Sequence, residues 1–248
     1  MDSSDKGGLA IILTDHQPAY LPWLGLLHKI AIADKFCYLD NVQYSKTDWT
    51  NRNKVKTPSG AVLLTVPVYT KGHFKKTILE MEINNDVPWR RKHWNTVYLS
   101  YKKSKHFNKY ADFFEDVYKR EWKLLTDLNL HILHFLLKEL NINVSFCKAS
   151  DFNFQGYKSE FILDMCKKLG ADIFVFGELG KDYADINSFQ KNCVKVSFQH
   201  YRHPTYPQLQ GEFISHLSII DLLFNCGSES YDILMSGNIE KTELLKIA

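Results

Sequence analysis

The chain has 248 residues, which is enough to bury a full core, and its 45% hydrophobic and 24% charged residues are ordinary for a globular protein. A net charge of +3 is too small to indicate a nucleic-acid binder, which usually carries a clustered basic excess. Five scattered cysteines without a CxxC pair argue against a disulfide framework and against a structural zinc site.

The first eight residues lack the basic start and the apolar core of a signal peptide. No uninterrupted apolar stretch reaches the length needed to span a bilayer. We therefore expect a cytoplasmic protein with no membrane span and no nucleic-acid partner.

Short apolar runs alternate with helical patterns along the chain. Residues 22–33 predict the first helix, with Pro22 near its first turn, and the β-loop-α-β order around it is typical of a parallel pair. Further helices are predicted over residues 159–169, ending at Gly170, and over residues 217–224. The apolar runs predict strands at residues 9–13, 36–39, 143–147, 172–176 and 194–198.

Two segments interrupt this alternation. The turn signal at residues 57–60 predicts an antiparallel hairpin in which residues 61–68 pair with residues 77–83. Residues 86–140 have helical patterns throughout. We therefore predict an α/β fold with a mainly parallel sheet flanked by helices, an added antiparallel hairpin, and a mostly helical insertion or subdomain at residues 86–140.

Polar residues follow the first two predicted strands. His16 and Gln17 come after the first strand, and Asp40 after the second. Because α/β folds bind ligands at the carboxyl edge of the sheet, we expect a site there. His16 titrates near neutral pH and can act as a general base, with Asp40 orienting its ring or holding a substrate hydroxyl. The alternative is a loop histidine bonded to backbone.

A donor-rich stretch, residues 51–54, follows Trp49. Arg52 would clamp a phosphate with two hydrogen bonds, and Lys54 would add positive charge. Tyr44 and Trp49 would stack on a nucleobase or a sugar. A hydrated turn and ordinary core packing explain the same residues equally well.

The turn after the fourth predicted strand, Gly177-x-x-Gly180-Lys181, is a weak phosphate-loop signal because it lacks the Walker and Rossmann spacings. Lys181 is a candidate anion contact there. The histidines predicted on helices show no HExxH pattern, and the sequence therefore predicts no metal site.

Several motifs occur together along the chain: H-Q-P-x-Y-L-P-W-x-G at 16–25, Lys29, L-D-x-V-Q-Y-S-K at 39–46, W-x-N-R-N-K at 49–54, Gly177, G-K-D-Y at 180–183 and H-P-T-Y-P-Q at 203–208. Taken together, these motifs resemble the WbqC-like family over roughly residues 9–227. The resemblance implies one α/β domain over residues 1–248 and a role in the biosynthesis of O-antigen, lipopolysaccharide or another surface polysaccharide.

We accordingly expect a transferase that adds an acyl or aminoacyl group to the amine of a nucleotide-linked amino sugar. The cofactor is unknown beyond that acyl or aminoacyl donor. The catalytic residues would be His16, as the base, and Asp40. The substrate-binding residues would be Gln17, Tyr20, Trp23, Lys29, Gln43, Tyr44, Trp49, Asn51, Arg52, Asn53, Lys54, Lys181, Tyr183, Tyr206 and Gln208.

Two other functions fit the same residues. The opening strand, the loop with His16 and the helix at residues 22–33 loosely match the layout of a nucleotidyltransferase or ATP-dependent ligase, although the HxGH signature is missing. Clustered amides and aromatic residues would also suit a non-catalytic sugar-binding or scaffold protein of a glycan assembly complex. Turnover of a candidate sugar by purified protein would exclude this last function.

Overall fold

The computed structural model describes residues 10–246, apart from the side chain of His73. The strands are β1 Ile12–His16, β2 Lys35–Tyr38, β3 Arg52–Thr57, β4 Gly60–Thr65, β5 Ser145–Lys148, β6 Ile173–Phe176 and β7 Lys195–Phe198. The α-helices are α1 Leu24–Ala31, α2 Trp89–Tyr101, α3 Phe107–Lys119, α4 Leu125–Glu139, α5 Ser159–Leu169, α6 Ile186–Lys191, α7 Ile219–Cys226, α8 Ser230–Met235 and α9 Lys241–Leu245.

Five strands form a parallel sheet in the order β5-β2-β1-β6-β7, and β3 pairs with β4 in a separate antiparallel hairpin. All four residues of β6, Ile173–Phe176, are buried, as expected for a strand that is covered on both faces of a parallel sheet. The predicted α/β class, with its mainly parallel sheet, its helices and its added hairpin, is confirmed.

The central pair of strands, β1 and β6, marks a change of direction in the sheet. From β1 the chain passes through α1 to β2 on one side, whereas from β6 it passes through α6 to β7 on the other side. The connections that leave β1 and β6 therefore diverge. In open parallel sheets this switch point leaves a crevice beyond the carboxyl ends of the two strands, and ligands bind in that crevice.

Helices cover both faces of the sheet. Leu13 packs with Phe174 and with residues of α5 and α6, whereas Phe36 and Tyr38 pack on the side of α1. Successive side chains of a strand point to opposite faces, so Asp15 points to the same face of the sheet as Leu13. His16 points to the other face, on the α1 side, and is paired in register with Tyr38. The two polar residues that end β1 therefore face different halves of the core.

The first strand is shifted from its predicted position. The prediction placed it at residues 9–13, but β1 runs from Ile12 to His16, and Leu9 lies outside the described residues. The strand continues through polar residues because they find partners inside the sheet. The hydroxyl of Thr14, for example, donates to the carbonyl of Val175 over 2.8 Å. His16 is thus the last residue of the strand rather than the start of a loop.

The predicted pairing within the hairpin is wrong. Residues 52–57 pair with residues 60–65, so that the turn signal at residues 57–60 closes the hairpin rather than opening it. Strand β3 has no apolar run that would predict it, because polar Asn53 is buried on the same face as Val55 while Lys54 between them is exposed. Residues 78–80 form a 3₁₀ turn instead of a strand, with the Glu80 side chain accepting from the backbone N–H of Thr77 over 2.8 Å.

Residues 86–140 form the three helices α2, α3 and α4, in agreement with the predicted helical segment. Their buried side chains share one hydrophobic cluster with α1 and with the hairpin. Phe224 of α7 packs on this cluster, with its ring centroid 5.2 Å from that of Phe107 and 5.6 Å from that of Phe114. Within residues 10–246, none of the helices combines the length and apolarity needed to cross a bilayer.

Candidate functional site

Four residues lie at the switch point beyond the carboxyl ends of β1 and β6, where sheets of this kind leave a ligand-binding crevice. His16 and Gln17 border it from β1, and Gly177 is the first residue after β6. Lys29 reaches it from the last turn of α1. We call these four residues the crevice cluster.

Lys29 is a buried lysine, with only 5% of its surface exposed. Its Nζ donates to the backbone carbonyl of Asp15 over 2.7 Å. Burial lowers the pKa of Lys29, and the neighbouring Asp15 partly opposes this effect. A Cβ added to Gly177 would lie 3.9 Å from the ammonium, so the loop after β6 passes directly beside it.

His16 is half-buried, and its Nδ1 donates to the carbonyl of Gln17 over 2.6 Å. Burial lowers the pKa of His16 to about 4, with the positive charge of Lys29 adding to the effect and the hydrogen bond to Gln17 opposing it. The ring is therefore neutral at pH 7. Because Nδ1 holds the proton in this hydrogen bond, Nε2 carries the lone pair.

Asp15 was missed by the sequence reasoning, which concentrated on residues after the strand. It is buried, and burial raises the pKa of its carboxyl group while Lys29 lowers it. The ring of Tyr183 contacts the ring of Phe176. Burial, and to a smaller extent the negative charge of Asp15, raise the pKa of Tyr183 to about 12. A carboxylate two residues after the apolar run at residues 9–13, within the buried strand, is the signal that could have revealed it.

Asp40 does not pair with His16. One carboxylate oxygen accepts from the backbone N–H of Ser150 over 2.9 Å, and the other accepts from the Ser150 hydroxyl over 2.7 Å. Ser150 follows β5, on the side of β2 away from β1. Asp40 therefore ties the loop after β2 to the loop after β5, and the expected orientation of His16 by Asp40 is not formed.

The donor-rich stretch at residues 51–54 bonds mainly within the protein. Asn51 donates to the carbonyl of Val66 over 2.8 Å, and Asn53 donates to the carbonyl of Leu21 over 2.6 Å. Arg52 donates to the side chain of Asn51 over 3.2 Å and also to the backbone carbonyl of Lys46. These contacts fix the hairpin against the loop after β1.

Tyr20 lies in the core rather than at the crevice. Its hydroxyl is 2.9 Å from Nδ1 of His93 and 2.6 Å from the hydroxyl of Tyr118. All three side chains are buried. These hydrogen bonds link the loop after β1 to helices α2 and α3.

Gln208 also has a full set of internal partners. Its amide nitrogen donates to the carboxylate of buried Asp221 over 2.8 Å and to the carbonyl of Ile214 over 2.9 Å. Its amide oxygen accepts from Nζ of Lys56 over 3.0 Å and from the N–H of Ile214 over 2.9 Å. Tyr206 is buried nearby, beside Asp221. These residues hold the irregular segment before α7 against the hairpin.

The remaining predicted residues lie elsewhere on this framework. Trp23 covers Gly25 and stacks on His216, with ring centroids 5.8 Å apart. Exposed Gln43 donates to the carbonyl of Phe74 over 2.9 Å. The last four differ in exposure: Tyr44 is buried, Trp49 is half exposed, and Lys54 and Lys181 are exposed. The ammonium of Lys54 lies over the Trp49 ring, and Lys181 lies in the turn after β6.

The described residues contain no group of three or more His, Cys, Asp and Glu side chains placed to hold a metal ion. The chemically active groups of the crevice are a neutral imidazole, a buried ammonium and a nearby buried carboxyl group. Such a set can accept a proton at Nε2 and can place positive charge beside an anionic oxygen.

Comparison with known proteins gives a relative that is 34% identical over 220 residues, the uncharacterized protein Rv1507c of Mycobacterium tuberculosis. The match covers 88% of this chain and 95% of that protein. A family model described as the WbqC-like protein family matches residues 17–233, which include most of the crevice cluster and all of the helical segment. The chain therefore belongs to the WbqC-like protein family.

Proposed function

We propose that the protein transfers an acyl or aminoacyl group to the amine of a nucleotide-linked amino sugar during polysaccharide biosynthesis. The observation that carries this proposal is the hydrogen bond from Nδ1 of His16 to the carbonyl of Gln17, which leaves the Nε2 lone pair of this strand-end histidine at the switch point of the sheet. Membership of the WbqC-like family supports a role in surface-polysaccharide biosynthesis. The five free cysteines suit a reducing, cytoplasmic location for the reaction.

In this reaction the amine nitrogen attacks the carbonyl carbon of an activated donor. A C–N bond forms, the bond from the carbonyl carbon to the leaving group breaks, and the leaving group departs with the electron pair. The attacking nitrogen becomes more acidic as it forms the bond, and its proton passes to Nε2 of His16. The ring is neutral at pH 7 and can take the proton, but a pKa of about 4 makes it a weak base, so the transfer requires the negative charge of the bound substrate to raise that pKa towards neutral.

Positions in the structure divide the expected substrate-binding residues into two groups. Gln17, Lys29, Lys181 and Tyr183 lie at or beside the carboxyl ends of β1 and β6, and we assign the substrate contacts to them. Among the other substrate-binding candidates, Tyr20 and Gln208 make hydrogen bonds that hold the surrounding loops, as does Asp40, which was expected to be catalytic. Their contribution to the reaction would be positioning rather than contact.

The test is to incubate the purified protein with nucleotide-linked amino sugars and a panel of acyl thioesters and aminoacyl donors. Transfer is expected to increase the mass of the sugar by that of the acyl group, and His16→Gln, which lacks a basic nitrogen, should lose this activity. Specific binding of the sugar without turnover by any donor would instead support the non-catalytic alternative.

Nucleotidyl transfer is a second candidate because of the strand order. Counting only the parallel strands, the order β5-β2-β1-β6-β7 corresponds to 3-2-1-4-5, the order of the classic nucleotide-binding sheets. This order is equally compatible with binding the nucleotide part of a nucleotide-linked sugar. Release of diphosphate from a nucleoside triphosphate in the presence of a sugar phosphate would favour nucleotidyl transfer over acyl transfer.

A further inference from the structure

The ammonium of Lys29 has fewer partners than a buried charge requires. An ammonium has three N–H donors, yet within residues 10–246 the hydrogen bonds of Lys29 number one, to the carbonyl of Asp15. No carboxylate of the described residues forms an ion pair with it. Because a buried charge with unused hydrogen-bond donors is costly, a protein that keeps one here gains from a ligand that supplies the missing acceptors.

The position of Lys29 indicates where such a ligand would lie. Nζ sits at the carboxyl end of β1 and is adjacent to Gly177, which follows β6, so it lies at the switch point between diverging connections. Gly177 and His16 are both half-buried and border this point from the two strands. A ligand in the crevice would therefore reach the ammonium from the side of Gly177.

The backbone of Gly177 gives independent support for an approach from this side. Its φ of −69° and ψ of 171° are open to any residue, so backbone conformation does not require glycine. A Cβ at this position would nevertheless lie 3.9 Å from Nζ, in van der Waals contact with the ammonium. The glycine therefore leaves this side of the ammonium without a side-chain contact.

We propose that Lys29 binds a phosphoryl oxygen of the nucleotide-linked substrate, and that its diphosphate lies in the crevice between the ends of β1 and β6. This inference rests on the proposed function for the identity of the whole substrate. A phosphoryl oxygen can accept charge-assisted hydrogen bonds from the two N–H groups that lack partners. The diphosphate was first expected at Arg52 and Lys54, but Arg52 uses its guanidinium on Asn51 and Lys46.

A diphosphate held by Lys29 would also bring the sugar close to His16. The ammonium contributes to the electrostatic environment of the His16 ring, and both groups lie on the α1 side of β1. The sugar is joined directly to the diphosphate in a nucleotide-linked sugar. Binding the phosphoryl group at Lys29 therefore places the sugar amine on the side of the crevice where the proton acceptor lies.

The test measures binding by calorimetric titration, without any acyl donor. The ligands are inorganic diphosphate, uridine 5′-diphosphate and adenosine 5′-diphosphate, and acetate is the control that shows whether a carboxylate binds equally well. Lys29→Met should weaken binding of diphosphate and of at least one nucleotide by about tenfold or more, which corresponds to ~1.4 kcal/mol. Gly177→Ala, which keeps the charge and adds a methyl group in contact with it, should weaken binding in the same direction.

Lys35→Met is the matched control. Lys35 also donates from Nζ to a single backbone carbonyl, that of Leu169, over 2.6 Å, but it begins β2 and thus lies at the opposite edge of the sheet. This variant removes one positive charge and one hydrogen bond, and it should leave diphosphate binding within about twofold of the wild type, a change of ~0.4 kcal/mol.

Three results would overturn the inference: wild-type protein that binds neither diphosphate nor the nucleotides, a folded Lys29→Met variant that binds them with unchanged affinity, or Lys29-dependent binding of acetate alone. If Lys29→Met does not fold, Gly177→Ala decides the question. The binding titration does not depend on acyl transfer. If the transfer assay shows no activity but diphosphate binds in a Lys29-dependent manner, the proposed function is refuted and this inference stands.

Discussion

Nδ1 of His16 lies 2.6 Å from the carbonyl oxygen of Gln17, and this hydrogen bond determines which ring nitrogen is free. We predict that His16→Asn, whose amide can still donate to Gln17 but lacks a basic nitrogen, lowers turnover by about 10²- to 10⁴-fold, the usual contribution of a general base. The substrate KM and the melting temperature should change little, because the proton transfer stabilises only the transition state.

Steady-state kinetics and thermal unfolding of the same preparation test this prediction. An unchanged turnover number would show that His16 is not the base. A large fall in melting temperature with no kinetic effect would identify His16 as a structural histidine, as the backbone-bonded alternative holds.

Buried histidines make the stability of the protein sensitive to acid. Burial lowers the pKa of His28 and of His93 from the ordinary value of 6.5 to about 4. Between these values the unfolded chain binds more protons than the folded protein, so the free energy of unfolding should fall as the pH drops from 6.5 towards 4. At pH 5 each of the two histidines should remove about 2 kcal/mol relative to neutral pH.

The measurement is chemical unfolding at pH 7 and at pH 5. His28→Gln cannot be protonated, so the loss of stability between the two pH values should shrink in this variant by about 2 kcal/mol. A pH dependence identical to that of the wild type would show that His28 is not held neutral in the folded protein.

The sequence was most informative where buried runs are purely apolar. Residues 173–176 and the helix that ends at Gly170 were predicted closely, because an apolar run and a left-handed C-cap are local signals. It was least informative where polar residues are buried. Strand β3 begins in the donor-rich stretch at residues 51–54, and β1 continues through Asp15 to His16. Their partners, such as Leu21 for Asn53, come from distant segments and cannot be read from spacing.

The candidate site shows the same division. His16 and Lys29 were identified from the sequence, and both lie near the carboxyl end of β1 in the structure. The pairing of Asp40, in contrast, depends on Ser150, which lies 110 residues away in the chain. The burial of Lys29 and its closeness to Gly177 depend on packing between α1 and the end of β6. Neither feature has a local sequence signal.

The hydrogen bonds of Tyr20 predict a structural rather than a catalytic effect. Tyr20→Phe removes the hydroxyl that lies 2.9 Å from Nδ1 of His93 and 2.6 Å from the hydroxyl of Tyr118. It leaves both groups with one partner fewer in the buried core, so it should cost about 1–3 kcal/mol in the free energy of unfolding. A raised KM with unchanged stability would restore Tyr20 as a substrate contact.

Gln208 offers a sharper test of a structural role, because it bridges a buried cation and a buried carboxyl group. Its amide nitrogen donates to Asp221, and its amide oxygen accepts from Lys56. Gln208→Ala should destabilise the protein by about 1–3 kcal/mol, since it removes a donor from a fully buried carboxyl group. Gln208→Glu keeps the size of the side chain but places a second carboxyl group beside Asp221.

The two variants should differ in their response to pH. Burial already raises the pKa of Asp221. A second carboxyl group at this position would raise it further, because two adjacent negative charges repel. Protonation of one carboxyl group relieves the repulsion. Gln208→Glu should therefore have a lower free energy of unfolding than Gln208→Ala at pH 7, and this difference should shrink as the pH falls from 7 to 5. Chemical unfolding at both pH values tests this, and a constant difference between the variants would show that residue 208 does not act on Asp221.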